Sequence, residues 1–202
     1  MTNYKKILNI ALPAMAENFL QMLMGVVDSY LVASLGLVAI SGVSVAGNII
    51  SIYQAIFIAL GVAVSSLISK SLGEGDRDNL AYHTSEAIKL TMLVSMFLGF
   101  LSLVFGRRIL AWLGTEPAVA NAGGLYLALI GGMILLLGLM TTLGSLIRAT
   151  SNPRMPMYVS FLSNLLNVLF SSLAIFIFHM GIVGVALGTI LARLVGVLIL
   201  WK

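Results

Sequence analysis

Residues 7–34 read ILNIALPAMAENFLQMLMGVVDSYLVAS. The run is longer than the roughly 20 apolar residues a helix needs to cross the hydrocarbon core of a bilayer, yet it carries Glu17, Asn18, Gln21 and Asp28. An ionisable group at the centre of a membrane helix costs at least ~2.5–3.5 kcal/mol on insertion scales, so such residues face a wet or protein-lined interior and serve a function there. Two acids in the first apolar segment of a chain with only 9% charged residues point to ion-linked transport.

The rest of the composition agrees with a bilayer environment. The 202-residue chain is 60% hydrophobic, and its mean hydropathy of +1.09 lies far outside the range of soluble domains. There is no cysteine, which removes disulfides, thiolate catalysis and cysteine metal sites. The net charge of +4 does not imply nucleic acid as a partner, because the basic residues are scattered over segment ends and form no stripe. Lys5 and Lys6 ahead of an apolar run imitate a signal peptide. The run is too long and too polar for one, and no small-residue cleavage pattern closes it, so it is expected to remain as the first transmembrane helix.

Polar and turn-forming residues divide the chain into six expected spans, an all-α bundle. They cover residues 7–34, 40–72, 83–105, 122–149, 157–178 and 182–201. Each is apolar on most of its circumference, which indicates helices rather than barrel strands. Under this reading Lys5, Lys6, Lys70, Arg77, Lys89, Arg148, Arg154 and Lys202 share one side, and only Arg107 and Arg108 clearly take the other. The positive-inside rule then puts both termini in the cytoplasm of a multi-pass protein of the cell inner (plasma) membrane. The whole of residues 1–202 is expected to form one six-helix lobe. An even number of spans suits a second lobe in the same orientation, related by an axis along the membrane normal.

Helical spacing groups the polar residues. Glu17, Gln21, Met24 and Asp28 share a stripe on the first helix, and the two acids lie roughly 16 Å apart along its axis. Pro13 precedes them and is expected to bend the helix as a hinge. Ser160, Asn164, Asn167 and Ser171 follow one another at i, i+4, i+7 and i+11 on the fifth span. An amide in hydrocarbon needs partners, so that face must meet another helix or a hydrated cavity. Thr189 and Arg193 share a face of the sixth span, where Arg193 is expected to snorkel to the interface. His83 and His179 lie at segment ends without partners at metal-ligand spacing, so no metal is expected. Gly73-Glu74-Gly75 lacks the spacing of a phosphate loop, and no nucleophile–base set appears, so no enzymatic role is expected. Eleven methionines offer an adaptable surface for varied ligands.

Several segments together resemble the multidrug and toxic compound extrusion (MATE) family. They are Ala11-Leu12-Pro13 and Val27-Asp28-Ser29 in the first span, then Leu72-Gly73-Glu74-Gly75-Asp76-Arg77 after the second. Ile147-Arg148-Ala149, Pro156-Met157-Tyr158 and Asn164-Leu165-Leu166-Asn167 continue the likeness, as does residues 181–189, GIVGVALGT. The resemblance covers essentially the whole chain through the order and spacing of these pieces.

The resemblance implies an antiporter that exports small organic, often cationic, drugs and toxic compounds, driven by inward proton or sodium movement with no other cofactor. It also implies twelve helices in two lobes around a central cavity, of which this chain looks like the N-terminal one. The second lobe would be fused downstream or supplied by a second copy. Asp28 matches the family's coupling acid on helix one, Asn167 an asparagine on helix five, and Thr189 a threonine on helix six. Some members carry a second acid where this chain has Ser171, a departure that tilts the expectation toward protons. The cation-coupling set is therefore Asp28, Glu17, Asn164, Asn167, Ser171 and Thr189, with Gln21 and Met24 facing the substrate cavity. Two alternatives remain. A flippase for lipid-linked saccharides would line its cavity with several Arg or Lys residues to hold a pyrophosphate, and here Arg193 is the only candidate for that role within a span. A non-transporting membrane scaffold would tolerate neutral replacement of Asp28.

Overall fold

The structure, a computed structural model, describes residues 3–150 and 154–202. Side chains are described from Leu12 onward except those of Pro13, Ala14, Glu17, Asn18, Gln21 and Met24. The expected roles of Glu17, Gln21, Met24 and Pro13 therefore fall on side chains outside the described residues.

The described residues form seven helices and no strand. They are α1 (Asn3–Ala33), α2 (Leu37–Glu74), α3 (Arg77–Trp112), α4 (Pro117–Gly132), α5 (Ile134–Ala149), α6 (Arg154–Phe176) and α7 (Gly181–Leu200). Helices α2, α3, α6 and α7 are each long and apolar enough to cross a membrane. The 31 residues of α1, at about 1.5 Å each, also exceed the ~30 Å hydrocarbon core. The outward faces are hydrocarbon-like: Val62, Met96, Phe97 and Phe100 are all exposed, as suits contact with lipid.

The expected single span over residues 122–149 is corrected. It is two helices, α4 and α5, which meet at Met133 with a bend of 48° and pass the spanning test only as a pair. Hydropathy does not change across the break, so the apolar pattern gives no sign of it. Gly131 and Gly132 precede the break, and a side chain at either would collide with Ser102 or Leu103 of α3. The chain bends where α4 rests directly on α3.

The second correction is to α3, which begins at Arg77 and runs to Trp112 rather than covering residues 83–105. Charged residues end an apolar run without ending a helix. Asp76 caps α3 by accepting from the backbone N–H groups of Asp78 (3.1 Å) and Asn79 (3.0 Å). Just before it, Gly75 takes the left-handed φ of 70° that closes α2. The Gly75 and Asp76 N–H groups donate to the carbonyls of Leu72 and Ser71, the paired bonds of a Schellman ending. The polar stretch 72–78 is thus a tight reversal between two long helices.

The α1–α2, α3–α4 and α6–α7 reversals gather at one end of the bundle, and the α2–α3 and α5–α6 connections at the other. Between α6 and α7 the packing is close. A β-carbon at Gly188 would lie 2.7 Å from the Ser171 nitrogen, so the backbones touch because position 188 has no side chain. That contact sets Ser171 beside Thr189.

Candidate functional site: a polar cavity around Asp28

Asn167, half-buried on α6, is the centre of a polar cluster contributed by three helices. Its amide nitrogen donates to Asp28 Oδ2 on α1 and to Thr189 Oγ1 on α7, both at 3.4 Å. Its oxygen accepts from the Ser171 hydroxyl at 3.0 Å. Thr189 in turn donates to the Val185 carbonyl at 3.0 Å. The chain of donors runs in one direction, from Ser171 through Asn167 to Asp28 and Thr189. Ser171 is wholly buried, and its hydroxyl orients the amide so that NH₂ faces the carboxylate. This arrangement suits an ionised Asp28, which can only accept. A protonated Asp28 gains a donor of its own, and with the proton on the unpartnered Oδ1 its other oxygen still accepts from the amide. The 3.4 Å contact to Asp28 is long for an N–H···O bond, so the carboxylate is held loosely.

A cavity of about 280 Å³ opens beside this cluster. Asp28, Asn167 and Thr189 form part of its wall, together with Asn164 and Ser163 of α6 and Arg193 of α7. Three buried polar atoms in this wall have no hydrogen-bond partner among the described residues: Asp28 Oδ1, Ser163 Oγ and Asn164 Nδ2. Leaving one buried polar group unmet costs about 1–3 kcal/mol, and more for a charged one. Their convergence on one space calls for a polar occupant, either water or a cation. The oxygens of Asp28, Thr189 and Ser163 are hard donors of the kind that suit water, a proton carrier or an alkali cation.

Arg193 corrects the sequence reading. It does not snorkel to an interface; it is half-buried, lines the cavity and acts electrostatically on both Asp28 and Tyr126. No direct ion pair joins it to Asp28 among the described residues. With Asp28 ionised, the two charges sum to zero. With Asp28 protonated or a monovalent cation bound, the cavity carries a net positive charge.

The structure thus brings Asp28, Asn167, Ser171 and Thr189 into one network and places Asn164 on the same cavity, outside the network. Ser160 also lines the cavity. Sequence reasoning missed Tyr126 of α4 and Gln54 of α2, both of which line the cavity. The only signal for Gln54 was an amide far inside an apolar span. Tyr126 had none, because nothing local separates it from an interfacial tyrosine. For Arg193 the signal was its place one turn after Thr189 on the same face.

A carboxylate facing a polar cavity inside a multi-pass helical bundle places the chain among polytopic membrane proteins. The MatE family model matches residues 13–173, and the chain belongs to that family. Over 196 residues it is 28% identical to the probable multidrug resistance protein NorM of Thermotoga maritima, covering 95% of this chain and 42% of that protein. It is 25% identical to the multidrug export protein MepA of Staphylococcus haemolyticus, with 94% and 42% covered. The fold superposes on a crystal structure of MATE in the bent conformation with a TM-score of 0.88 at 20% identity, covering 98% of this chain and 44% of that one. The chain spans less than half the length of the relatives it matches.

Proposed function

We propose that this chain is the ion-coupling lobe of an exporter of organic, often cationic, compounds, and that a proton bound at Asp28 drives the cycle. One observation carries the reading: a buried carboxylate oxygen without a partner faces a cavity where two further orphaned polar atoms and Arg193 converge. The multidrug names of the relatives support the substrate class.

Arg193 supplies the coupling logic. Ionised Asp28 leaves the cavity neutral and able to accept a cationic drug. Protonation exposes the uncompensated Arg193 charge, which repels the drug. A proton forms a covalent bond with the carboxyl, whereas sodium must be held by a net charge that Arg193 cancels. Ser171, a hydroxyl where some members have a second acid, points the same way. In the membrane we assign the end bearing Lys70, Arg77, Arg148, Arg154 and Lys202 to the cytoplasm of the plasma membrane. A second six-helix lobe, fused downstream or supplied by another copy, completes the central cavity.

The test is Asp28→Asn in proteoliposomes holding the complete transporter. Drug-driven proton flux is expected to fall to background while expression and drug binding persist. Coupled efflux at the unmutated rate overturns the reading, and the same assay with and without sodium identifies the ion. The place of Arg193 in the cavity also favours a second reading, a carrier of pyrophosphate-linked lipids. Asp28 beside it offsets the single positive charge that such a headgroup needs, so this reading ranks second.

A further inference from the structure

Asp28 borders two cavities. The second, of about 170 Å³, is lined by Asp28, Ser29, Ser44, Gly47 and Tyr126 together with apolar residues of α1, α2 and α7. Only Asp28 and Tyr126 belong to both linings. Ser44 and Gly47 lie in the first three turns of α2, near the α1–α2 reversal, whereas Gln54 of the larger cavity lies about two turns further on. The two spaces are therefore stacked along the bundle, with the carboxyl and the tyrosine at the level where they meet.

The wall of the smaller cavity is largely apolar, with polar groups at a few points that can meet water. Ser29 and Ser44 contribute hydroxyls, and Ser29 donates to the Gly25 carbonyl at 2.8 Å, which leaves its oxygen open to accept. Gly47 contributes bare backbone, and a β-carbon built there meets nothing within 4 Å, so the space beside it is open. Asp28 is the one charged residue in the lining. A space with room for several waters, walled largely by apolar side chains but carrying two hydroxyls and a single negative charge, admits cations and excludes anions.

We infer that the smaller cavity is a hydrated vestibule by which water and a small cation reach Asp28 from the α1–α2 end, with Tyr126 separating it from the larger cavity. This rests on Asp28 as the coupling residue only for its purpose; the vestibule itself is a statement about access. An ion-exchanging carboxyl needs contact with both sides and no continuous passage between them. One carboxyl and one aromatic ring shared by two stacked cavities meet that requirement.

The chain has no cysteine, so a single introduced thiol reports on water access. Methanethiosulfonate reagents react with the thiolate, which forms where water reaches it. A membrane-impermeant, trimethylammonium-bearing reagent is applied to each side of vesicles, and Leu37→Cys identifies the side that carries the α1–α2 turn. From that side Gly47→Cys and Ser44→Cys are expected to react within about tenfold of the Leu37→Cys rate, and at least about tenfold faster than Phe100→Cys on the exposed face of α3. Ser163→Cys, in the larger cavity, is expected to stay unmodified from that side until Tyr126→Ala joins the two spaces. Gly47→Cys and Ser44→Cys reacting no faster than Phe100→Cys overturns the vestibule. Ser163→Cys reacting from the turn side with Tyr126 intact overturns the partition. Should Gly47→Cys fail to assemble, Ser44→Cys reads the same wall. Labelling that persists in an Asp28→Asn background separates the vestibule from the coupling reading, because access needs no transport.

Discussion

Two polar regions lie inside this bundle and are built in opposite ways. Between α3 and α5, Thr91 donates to the Ala87 carbonyl at 2.8 Å and meets Thr142 at 2.8 Å. About three turns further along α3, Ser102 contacts the Leu98 carbonyl at 2.9 Å and the Tyr53 hydroxyl of α2 at 3.2 Å. These groups satisfy one another; Ser95 is the exception, with an unpartnered hydroxyl. Between α1, α6 and α7, three polar atoms end in open space. Paired polar groups in a membrane protein hold helices together. Groups left open at a cavity cost stability, and they persist where something must enter and leave. The contrast separates structural glue from a working site without reference to residue type, since serine and threonine occur in both.

The largest test of that contrast is Asn167→Ala. Among the described residues the amide supplies the hydrogen bond from α6 to Asp28, and a hydrogen bond to a charged group is worth about 1.5–3 kcal/mol. Coupled flux is expected to fall at least about tenfold, while the folded fraction in detergent changes little because the bond is long. Collapse of the fold together with flux would move this cluster into the glue category.

Next in size is Asn164→Leu. The substitution removes the orphaned amide and fills part of the cavity with hydrocarbon. Stability is expected to rise by about 1 kcal/mol, read as a higher melting midpoint, while drug-driven flux falls. A lower midpoint would mean that Asn164 is paired in the membrane and that the cavity is less open than its geometry indicates.

Thr142→Val makes the reciprocal test. It breaks the Thr91–Thr142 contact but leaves Thr91 bonded to Ala87, so the cost is about 1 kcal/mol, in the range of interhelical hydrogen bonds in membranes. Coupling is expected to be unchanged. A loss of coupling would join the two regions into one network.

How far these regions could be read from sequence follows from the same physics. Asp28 announces itself because a charge in hydrocarbon is rare, and the face Ser160–Asn164–Asn167–Ser171 follows from helical spacing alone. The resemblance added Thr189 as a partner. The Thr91–Thr142 pair left no trace, since hydroxyls that bond within the helix are common in apolar segments. Arg193 was misplaced because a long side chain near a helix end can point to either solvent or interior, and only packing decides. The bend at Met133 escaped because hydropathy is blind to direction. Local rules determine where helices begin and end and what they carry. Which faces meet is decided by close approaches such as Gly188 on Ser171, and these depend on residues far apart in the chain.

The smallest expected effect lies outside both regions, in the α2–α3 reversal. Asp76 is partly exposed, yet its carboxyl is held below the usual carboxylate range, chiefly by the hydrogen bond from the Asn79 backbone N–H. A depressed folded-state pKa contributes stability that is complete above the unfolded value of about 3.9 and is lost as pH falls through the folded value. The cap therefore holds throughout neutral and mildly acidic pH and weakens only in strong acid. Asp76→Ala is expected to lower the melting midpoint by on the order of a few degrees at pH 7. The difference from the parent chain should close as the pH is taken below about 4. The coupling proposed for Asp28, on a different helix from the cap, should be untouched at every pH at which the protein stays folded. A change in the pH profile of flux in Asp76→Ala would show that the turn and the site share a titration, and the division between structural and working polar groups would then extend to the surface of the bundle.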